Sequence, residues 1–529
     1  MKKNKRRKDV FYPRFWIVLS FFFLEAIIVI SFIMLVIYAP LSESPFAILI
    51  VLLIYDIILG IFIANTKSEA DFKISWLTIV LILPFVGGII YCLFANKMTT
   101  KRMRKNRFNI INNFLLTCRK ESTNDINEIR KTNANAASIF SYIYNHGLSG
   151  VYQNTKVDYF SLGELGFPVM LKELQKAKKF IFIEYFIIED GLFFNSIYSI
   201  LKQKAKDGVE VRFIYDDFGS SMKISSKFYK KVRKDGIQCY AFNRIRPSID
   251  IRQNSRDHRK ILVIDGTIGF TGGINLADEY INKGSKYGEW KDNCLMLKGH
   301  GVEGLTNLFL SNWNLVLKKD KVVSKVEFSK YSYFKNKEEL NYPEIKADGF
   351  LSNYGEVPFD GEETSRNVFL QIISRANKYV YISTPYLIID EEINSALAVA
   401  AKSGVNVTII TPGIPDKKIV NQITKSYYAY LLINGVKIVE YTPGFNHQKM
   451  ILSDDNICET GTINFDFRSL YLHFENGCFM YNVPQINEMK LDLEKMINSS
   501  NEVDVDKYVN APVIKRIYWS FLRILAPLM

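Results

Sequence analysis

Histidine, lysine, aspartate and asparagine occur twice in this chain at one spacing. "DHRKILVIDGTIGFTGGINL" begins at Asp257 and "NHQKMILSDDNICETGTINF" at Asn446. Laid over each other, the stretches align His258 with His447, Lys260 with Lys449, Asp265 with Asp454 and Asn275 with Asn464. Four polar types matched at fixed offsets around an apolar run mark an internal repeat. Two copies of long period point to a duplicated domain rather than a solenoid.

A single His-x-Lys is most often a surface pair, but duplication changes the odds. Two such sites facing each other across a pseudo-two-fold axis pool two imidazoles, two ammonium groups and two amides in one cleft, an inventory that suits a phosphodiester. Fixed Lys and Asn donors can stabilise the negative charge on the non-bridging oxygens of displacement at phosphorus without a metal ion. One imidazole can attack phosphorus while the other protonates the departing alkoxide and then takes a proton from the incoming alcohol. Each imidazole then needs its far nitrogen held. Asp292 in "GEWKDN" and Glu475 in "HFENG" are the candidates, each downstream of a motif.

The elements that must carry these groups are legible around them. Side chains two apart on a strand share a face, so His258 projects with Lys260 and His447 with Lys449. Asp265 is an odd offset from His258, and "DG" at 265–266 is a hairpin signal, which gives Asp265 a supporting role at a strand end. "GGIN" (272–275) and "GTIN" (461–464) read as tight turns into helices that bring backbone N–H groups toward an anion. Upstream, "KKFIFIEYFIIED" (178–190) parallels "NKYVYISTPYLIIDE" (377–391), and "AKDGVEVRFIYDD" (205–217) parallels "AKSGVNVTIITPG" (401–413). Strand, helix, strand, helix, strand and then the His-bearing strand is an α/β pattern, with a mixed, largely parallel sheet expected in each lobe.

Charge and composition bound the partners. The net charge is +14 over 529 residues, but residues 1–107 carry 15 Lys/Arg against 6 Asp/Glu, which leaves only +5 for the remainder. That distribution argues against nucleic acid and for a membrane surface. Three apolar stretches, 16–39, 45–64 and 76–95, are each long enough to cross a hydrocarbon core of about 30 Å as helices. Glu25 and Asp56 lie inside the first two. Basic clusters before the first stretch and after the third both read as cytoplasmic. Three full crossings would separate them, so the third, with Pro84, Gly87 and Gly88, is the most breakable. Cytoplasmic catalytic lobes are expected. The tail "VIKRIYWSFLRILAPLM" reads either as a basic amphipathic helix on anionic lipid or as a helix docked on the protein itself. Six scattered cysteines and five histidines without helical metal-site spacing make neither a disulfide framework nor a metal expected.

The motif His-x-Lys-x4-Asp-x6-Gly-x-x-Asn, met at His258/Lys260/Asp265/Gly272/Asn275 and His447/Lys449/Asp454/Gly461/Asn464, is the signature of the phospholipase D superfamily. With "YDDFGS", "STPYLIIDEEI", "SYYAYLLINGVKI" and "INFDFRSL", the chain resembles the bacterial cardiolipin synthases from about residue 76 to 529. The resemblance implies N-terminal transmembrane helices followed by two pseudo-symmetric phospholipase D-type lobes. The corresponding division is a membrane anchor (1–107), a first lobe (108–320, motif 252–279), a linker (321–347), a second lobe (348–505, motif 441–468) and an amphipathic tail (506–529). It implies phosphatidyl transfer from one phosphatidylglycerol to another, giving cardiolipin and glycerol through a phospho-histidine, with no cofactor. The partners would be anionic phospholipid and the bilayer, with no nucleic acid.

One histidine would be nucleophile and the other acid/base, with His258 favoured for the attack. Lys260, Lys449, Asn275 and Asn464 would hold phosphate, and Asp265 and Asp454 count among the family's catalytic motif residues. Glu184, Tyr185, Asp216 and Tyr386 line the cleft or serve packing alone. Lipid hydrolysis by a membrane-bound phospholipase D, and less favoured a nuclease or a lipid-binding scaffold, are the alternatives. Oligomeric state is not legible.

Overall fold

The computed structural model describes residues 44–84, 86–95, 101–147, 149–244, 255–317, 328–358 and 361–528. They form two compact units: one holds the N-terminal helices and the last ten residues, the other spans 100–244 and 255–519. The first apolar stretch, 16–39, and Glu25 lie outside the described residues.

In the first unit, helix α1 (Ser44–Ala64) is followed by α2 (Ala70–Ile82) and α3 (Val86–Phe94). The third apolar stretch is therefore not one rod: it breaks at Leu83–Pro84, where proline lacks the N–H that would continue the ladder. Gly88, in the first turn of α3, allows close packing on α1, since a Cβ there would sit 2.5 Å from the Tyr55 hydroxyl and 2.8 Å from Leu59 Cδ2. Leu59, Ile63, Trp76 and Val80 form a small core, with Trp76 edge-on to Tyr91. Ile50, Val51, Leu53, Ile54, Ile57, Ile58 and Ile61 are exposed. Among the described residues no helix is long and apolar enough to cross a membrane.

The second unit contains both halves of the repeat. In the first half, strands β1 (Thr155–Phe160), β2 (Phe180–Tyr185), β3 (Glu210–Asp216), β4 (Gln238–Phe242), β5 (Lys260–Ile264) and β6 (Ile268–Gly272) precede a short β7 (Glu289–Lys291) and β8 (Cys294–Gly299). Seven of these form a sheet in the order β1-β8-β6-β5-β2-β3-β4. The second half contributes β9 (Phe350–Glu356), β10 (Tyr379–Ser383), β11 (Leu387–Ile388), β12 (Asn406–Pro412), β13 (Lys437–Tyr441), β14 (Gly444–Asn446), β15 (Met450–Ser453), β16 (Ile457–Gly461), β17 (Phe465–Asp466), β18 (Glu475–Tyr481) and β19 (Ser500–Glu502). Its sheet runs β19-β13-β12-β10-β15-β16-β18-β9.

Both sheets are mixed, but the expectation of largely parallel pairing needs correction. Only β2/β3 and β3/β4, and then β10/β12 and β12/β13, are parallel. The remaining ladders of each sheet are antiparallel, among them the hairpins β5/β6 and β15/β16 in which the motif strand turns straight back on itself. Asp265 (φ 53°) and Gly266 (φ 69°), and Asp454 (φ 52°) and Asp455 (φ 65°), occupy the two left-handed positions of a tight hairpin turn.

The helix Lys101–Cys118 runs through the anchor boundary expected at 107. The described part of the expected linker is no open tether: Tyr331 and Tyr333 are buried, and the Arg212 guanidinium donates to the Tyr331 hydroxyl at 2.6 Å. In the tail, the helix Val513–Leu525 turns Trp519 inward to stack on Tyr508 and to donate to Gln422, while Val513, Ile514, Ile517 and Phe521 remain exposed. The face that carries Trp519 is thus docked on the protein itself.

Candidate active site

The two histidines sit immediately before their strands rather than within them: His258 precedes β5 and His447 lies between β14 and β15. Each approach segment pairs with the other half of the chain. β14 runs parallel to β7, Phe445 opposite Trp290, and the His447 N–H donates to the Lys291 carbonyl at 2.8 Å. In the same way Asp257 bridges to Phe474, and the His258 N–H donates to the Phe474 carbonyl at 2.9 Å.

This exchange crosses the carboxylates. His258 Nδ1 lies 2.9 Å from Glu475 Oε2, and His447 Nδ1 lies 2.5 Å from Asp292 Oδ2. Each imidazole is thus held by the half that does not carry it. Both carboxylates are fully buried and both histidines nearly so. A further crossed pair repeats the pattern: Asn293 donates to Thr460 Oγ1 at 2.9 Å and Asn476 to Thr271 Oγ1 at 2.8 Å.

The close approach of Asp292 requires Gly273, where a Cβ would meet a carboxylate oxygen at 2.0 Å. At the equivalent position Thr462 instead donates its hydroxyl to Glu475 Oε2.

Lys260 and Lys449 are buried, and each ammonium turns back to the carbonyl of its own motif histidine. Lys449 Nζ also lies 2.7 Å from His447 Nδ1, which Asp292 approaches more closely. One ring nitrogen cannot serve both contacts. The imidazole N–H belongs with the carboxylate, whose negative charge it complements, and leaves Lys449 as an electrostatic neighbour.

Burial dominates the electrostatics. Burial, then the charges of Lys260 and Lys449 and the other imidazole, holds His258 well below the usual imidazole range. Burial, then Lys449 and Lys260, does the same to His447. Burial presses Lys260 down to about 7 and Lys449 to about 8, against the pull of Glu475 and Asp292, and pushes Asp292 up to about 7. The lysine of each half thus acts on both imidazoles, as it would in a shared pocket.

Asp265 does not approach the histidines. Its carboxylate accepts backbone N–H groups from Lys178, Lys179 and Phe180 at 2.9, 2.7 and 2.9 Å. Asp454 accepts from Asn377, Lys378 and Tyr379 at 2.7, 2.8 and 3.0 Å. The expected helix-entry turns after "GGIN" and "GTIN" hold only in part. Asn275 accepts from the Ile187 N–H and donates to the Tyr280 hydroxyl, and Asn464 donates to Asp466.

The expected cleft residues do structural work. Glu184 and Asp257 share the Asn312 amide, Asp216 accepts the Asp257 N–H, Tyr386 donates to Asp416, and Tyr185 is buried in the core. Sequence reasoning missed Thr462, the amide pair Asn293/Asn476, and two rings beside the histidines: Trp290, 5.5 Å from His447, and His473, 5.8 Å from His258. The asparagines had a signal, since each directly follows the histidine's carboxylate in "KDN" and "FEN".

A family described as cardiolipin synthase, PLD-like domain, matches residues 170–293 and 369–497, and one described as phospholipase D-nuclease N-terminal matches residues 48–96. A cardiolipin synthase of Halalkalibacterium halodurans is 32% identical over 490 residues, covering 92% of this chain and 94% of that protein. Cardiolipin synthase 2 of Bacillus anthracis is 32% identical over 470 residues, covering 89% and 88%. The crystal structure of phosphatidylserine synthase from Haemophilus influenzae superposes with a TM-score of 0.52 at 14% identity, covering 70% of this chain and 95% of that one, a likeness of fold alone. Matched through both halves of the repeat and aligned with its relatives over most of its length, the chain belongs to the cardiolipin synthase family of phospholipase D-like proteins.

Proposed function

We infer that this protein is a cardiolipin synthase, a phosphatidyltransferase that moves a phosphatidyl group from one phosphatidylglycerol to the hydroxyl of another and releases glycerol. The observation that carries the reading is the crossed pair His258–Glu475 and His447–Asp292, with the charges of Lys260 and Lys449 acting on both imidazoles. Because each carboxylate occupies Nδ1, Nε2 is the reacting nitrogen on both rings.

His258 Nε2 attacks phosphorus, the P–O bond to glycerol breaks, and His447 supplies the proton to the leaving alkoxide. In the second step His447 takes the proton from the acceptor hydroxyl, whose oxygen forms the new P–O bond as the phospho-histidine opens. Lys260 and Lys449 offset the charge on the non-bridging oxygens, while Asn275 and Asn464 hold the turns that border them. Burial and the lysine charges favour the neutral form of both imidazoles before substrate binds, which suits the nucleophile. The arriving phosphodiester anion offsets the lysine charge, favours protonation, and lets His447 serve as the acid.

Residues 1–107 anchor the enzyme in the membrane as a multi-pass segment, with the second and third apolar stretches folded as a hairpin-like cluster and the lobes on the cytoplasmic side. The exposed apolar residues of α1 support lipid contact. Mass spectrometry of lipids from cells lacking cardiolipin tests the activity. Expression of the intact chain should restore cardiolipin, and His258→Ala or His447→Ala should abolish it. Accumulation of phosphatidic acid without cardiolipin would assign hydrolysis instead.

A further inference from the structure

One imidazole in the pocket is left over by the two-histidine chemistry. His473 follows the helix Phe467–Tyr471 and precedes Glu475 by two residues, and its side chain is 9% exposed. Neither of its ring nitrogens has a hydrogen-bond partner among the described residues. Its Nδ1 is 3.8 Å from Glu475 Oε1, too far for a hydrogen bond, and that oxygen is unpartnered as well. A buried polar atom left unpaired costs about 1–3 kcal/mol, and two such atoms facing each other call for a common ligand. One donor atom from each of His258, His473 and Glu475 lies within 4.8 Å of the others.

Two imidazoles and a carboxylate are a zinc-type ligand set, with bonds of about 2.0–2.2 Å that modest closure of the rings would allow. Pseudo-symmetry indicates that the set is not a requirement of the transfer chemistry. The counterpart of His473 in the other half is Trp290, two residues before Asp292, whose indole N–H can donate but cannot ligate. The sequence carried no metal spacing because the three ligands come from both halves of the chain.

We propose that His258, His473 and Glu475 form a reversible inhibitory site for a borderline-soft divalent cation, with zinc as the best fit. The proposal rests on His258 being a reacting imidazole. A bound cation ties up that ring and the carboxylate that orients it, so transfer stops while the ion is held. Lys260 and Lys449 repel a cation here and only three protein ligands are offered, so the ion is held weakly enough to leave.

The test uses full-length enzyme in detergent, stripped with EDTA and dialysed against zinc chloride. One zinc per chain should bind, phosphatidyl transfer should fall, and EDTA should restore it. His473→Asn and His473→Phe should lose the bound zinc and raise the half-inhibitory zinc concentration by at least about tenfold. Activity in EDTA should stay within about twofold of the parent, and either variant that folds decides the matter. Wild-type protein that binds no zinc, or variants that bind and respond as the parent does, would overturn the proposal. If the parent makes no cardiolipin at all, the transferase reading fails, and dialysis still reads the cation site.

Discussion

At the residue scale the pocket sets two imidazoles, two ammonium groups and two carboxylates against one another. Asp292→Asn keeps the size of the side chain but removes the charge beside His447 Nδ1, so an imidazolium there loses its counter-ion. Turnover of labelled phosphatidylglycerol should fall by about 10²-fold or more, within the range of a general acid–base contribution.

The lysines predict a pH dependence. With Lys260 at about 7 and Lys449 at about 8 before substrate binds, the ammonium charges are present below these values and lost as pH rises through them. Phosphate binds the charged forms, so the KM for phosphatidylglycerol should climb above about pH 8. Bound phosphate raises both lysines in turn. The alkaline limb of kcat should therefore lie at higher pH than that of kcat/KM. A kcat/KM that stays flat from pH 7 to 9.5 would remove the lysines from phosphate binding.

At the scale of elements, the motif aspartates belong to the strand ends. Asp265 closes its hairpin in the left-handed region and gathers three N–H groups from the chain entering β2. Asp265→Ala should lower stability by about 3 kcal/mol in a denaturant titration, since hydrogen bonds to a charged, buried acceptor are each worth roughly 1.5–3 kcal/mol and do not add fully. Asp454→Ala should cost less because its surroundings are more exposed. Loss of turnover in a fully stable Asp265→Ala protein would instead argue for direct chemistry. The odd offset from the histidine made this role legible in the sequence. The antiparallel majority of each sheet was not legible, because short apolar runs look alike in either direction and only their partners decide.

At the scale of the whole molecule, each half supplies the carboxylate that orients the other half's histidine, so one chain makes one complete pocket. Co-expression of His258→Ala and His447→Ala variants should not restore cardiolipin synthesis, because neither chain contains both imidazoles. Recovery of activity would require halves to exchange between chains. A reporter fused after Arg107 should behave as cytoplasmic, and an extracytoplasmic signal would reverse the orientation of the lobes.

The sequence by itself determined the duplication, the residue types of the pocket, the supporting place of Asp265 and Asp454, and the weak point at Pro84, since each follows from spacing along a strand or from what one residue's backbone can do. Tertiary structure alone decided that Glu475 serves His258 and Asp292 serves His447, and that His473 stands beside them. Those contacts are made where β7 meets β14 and where Asp257 meets Phe474. Pairing between segments so distant along the chain is set by which sheet edges the folded halves bring together, and no local periodicity records it.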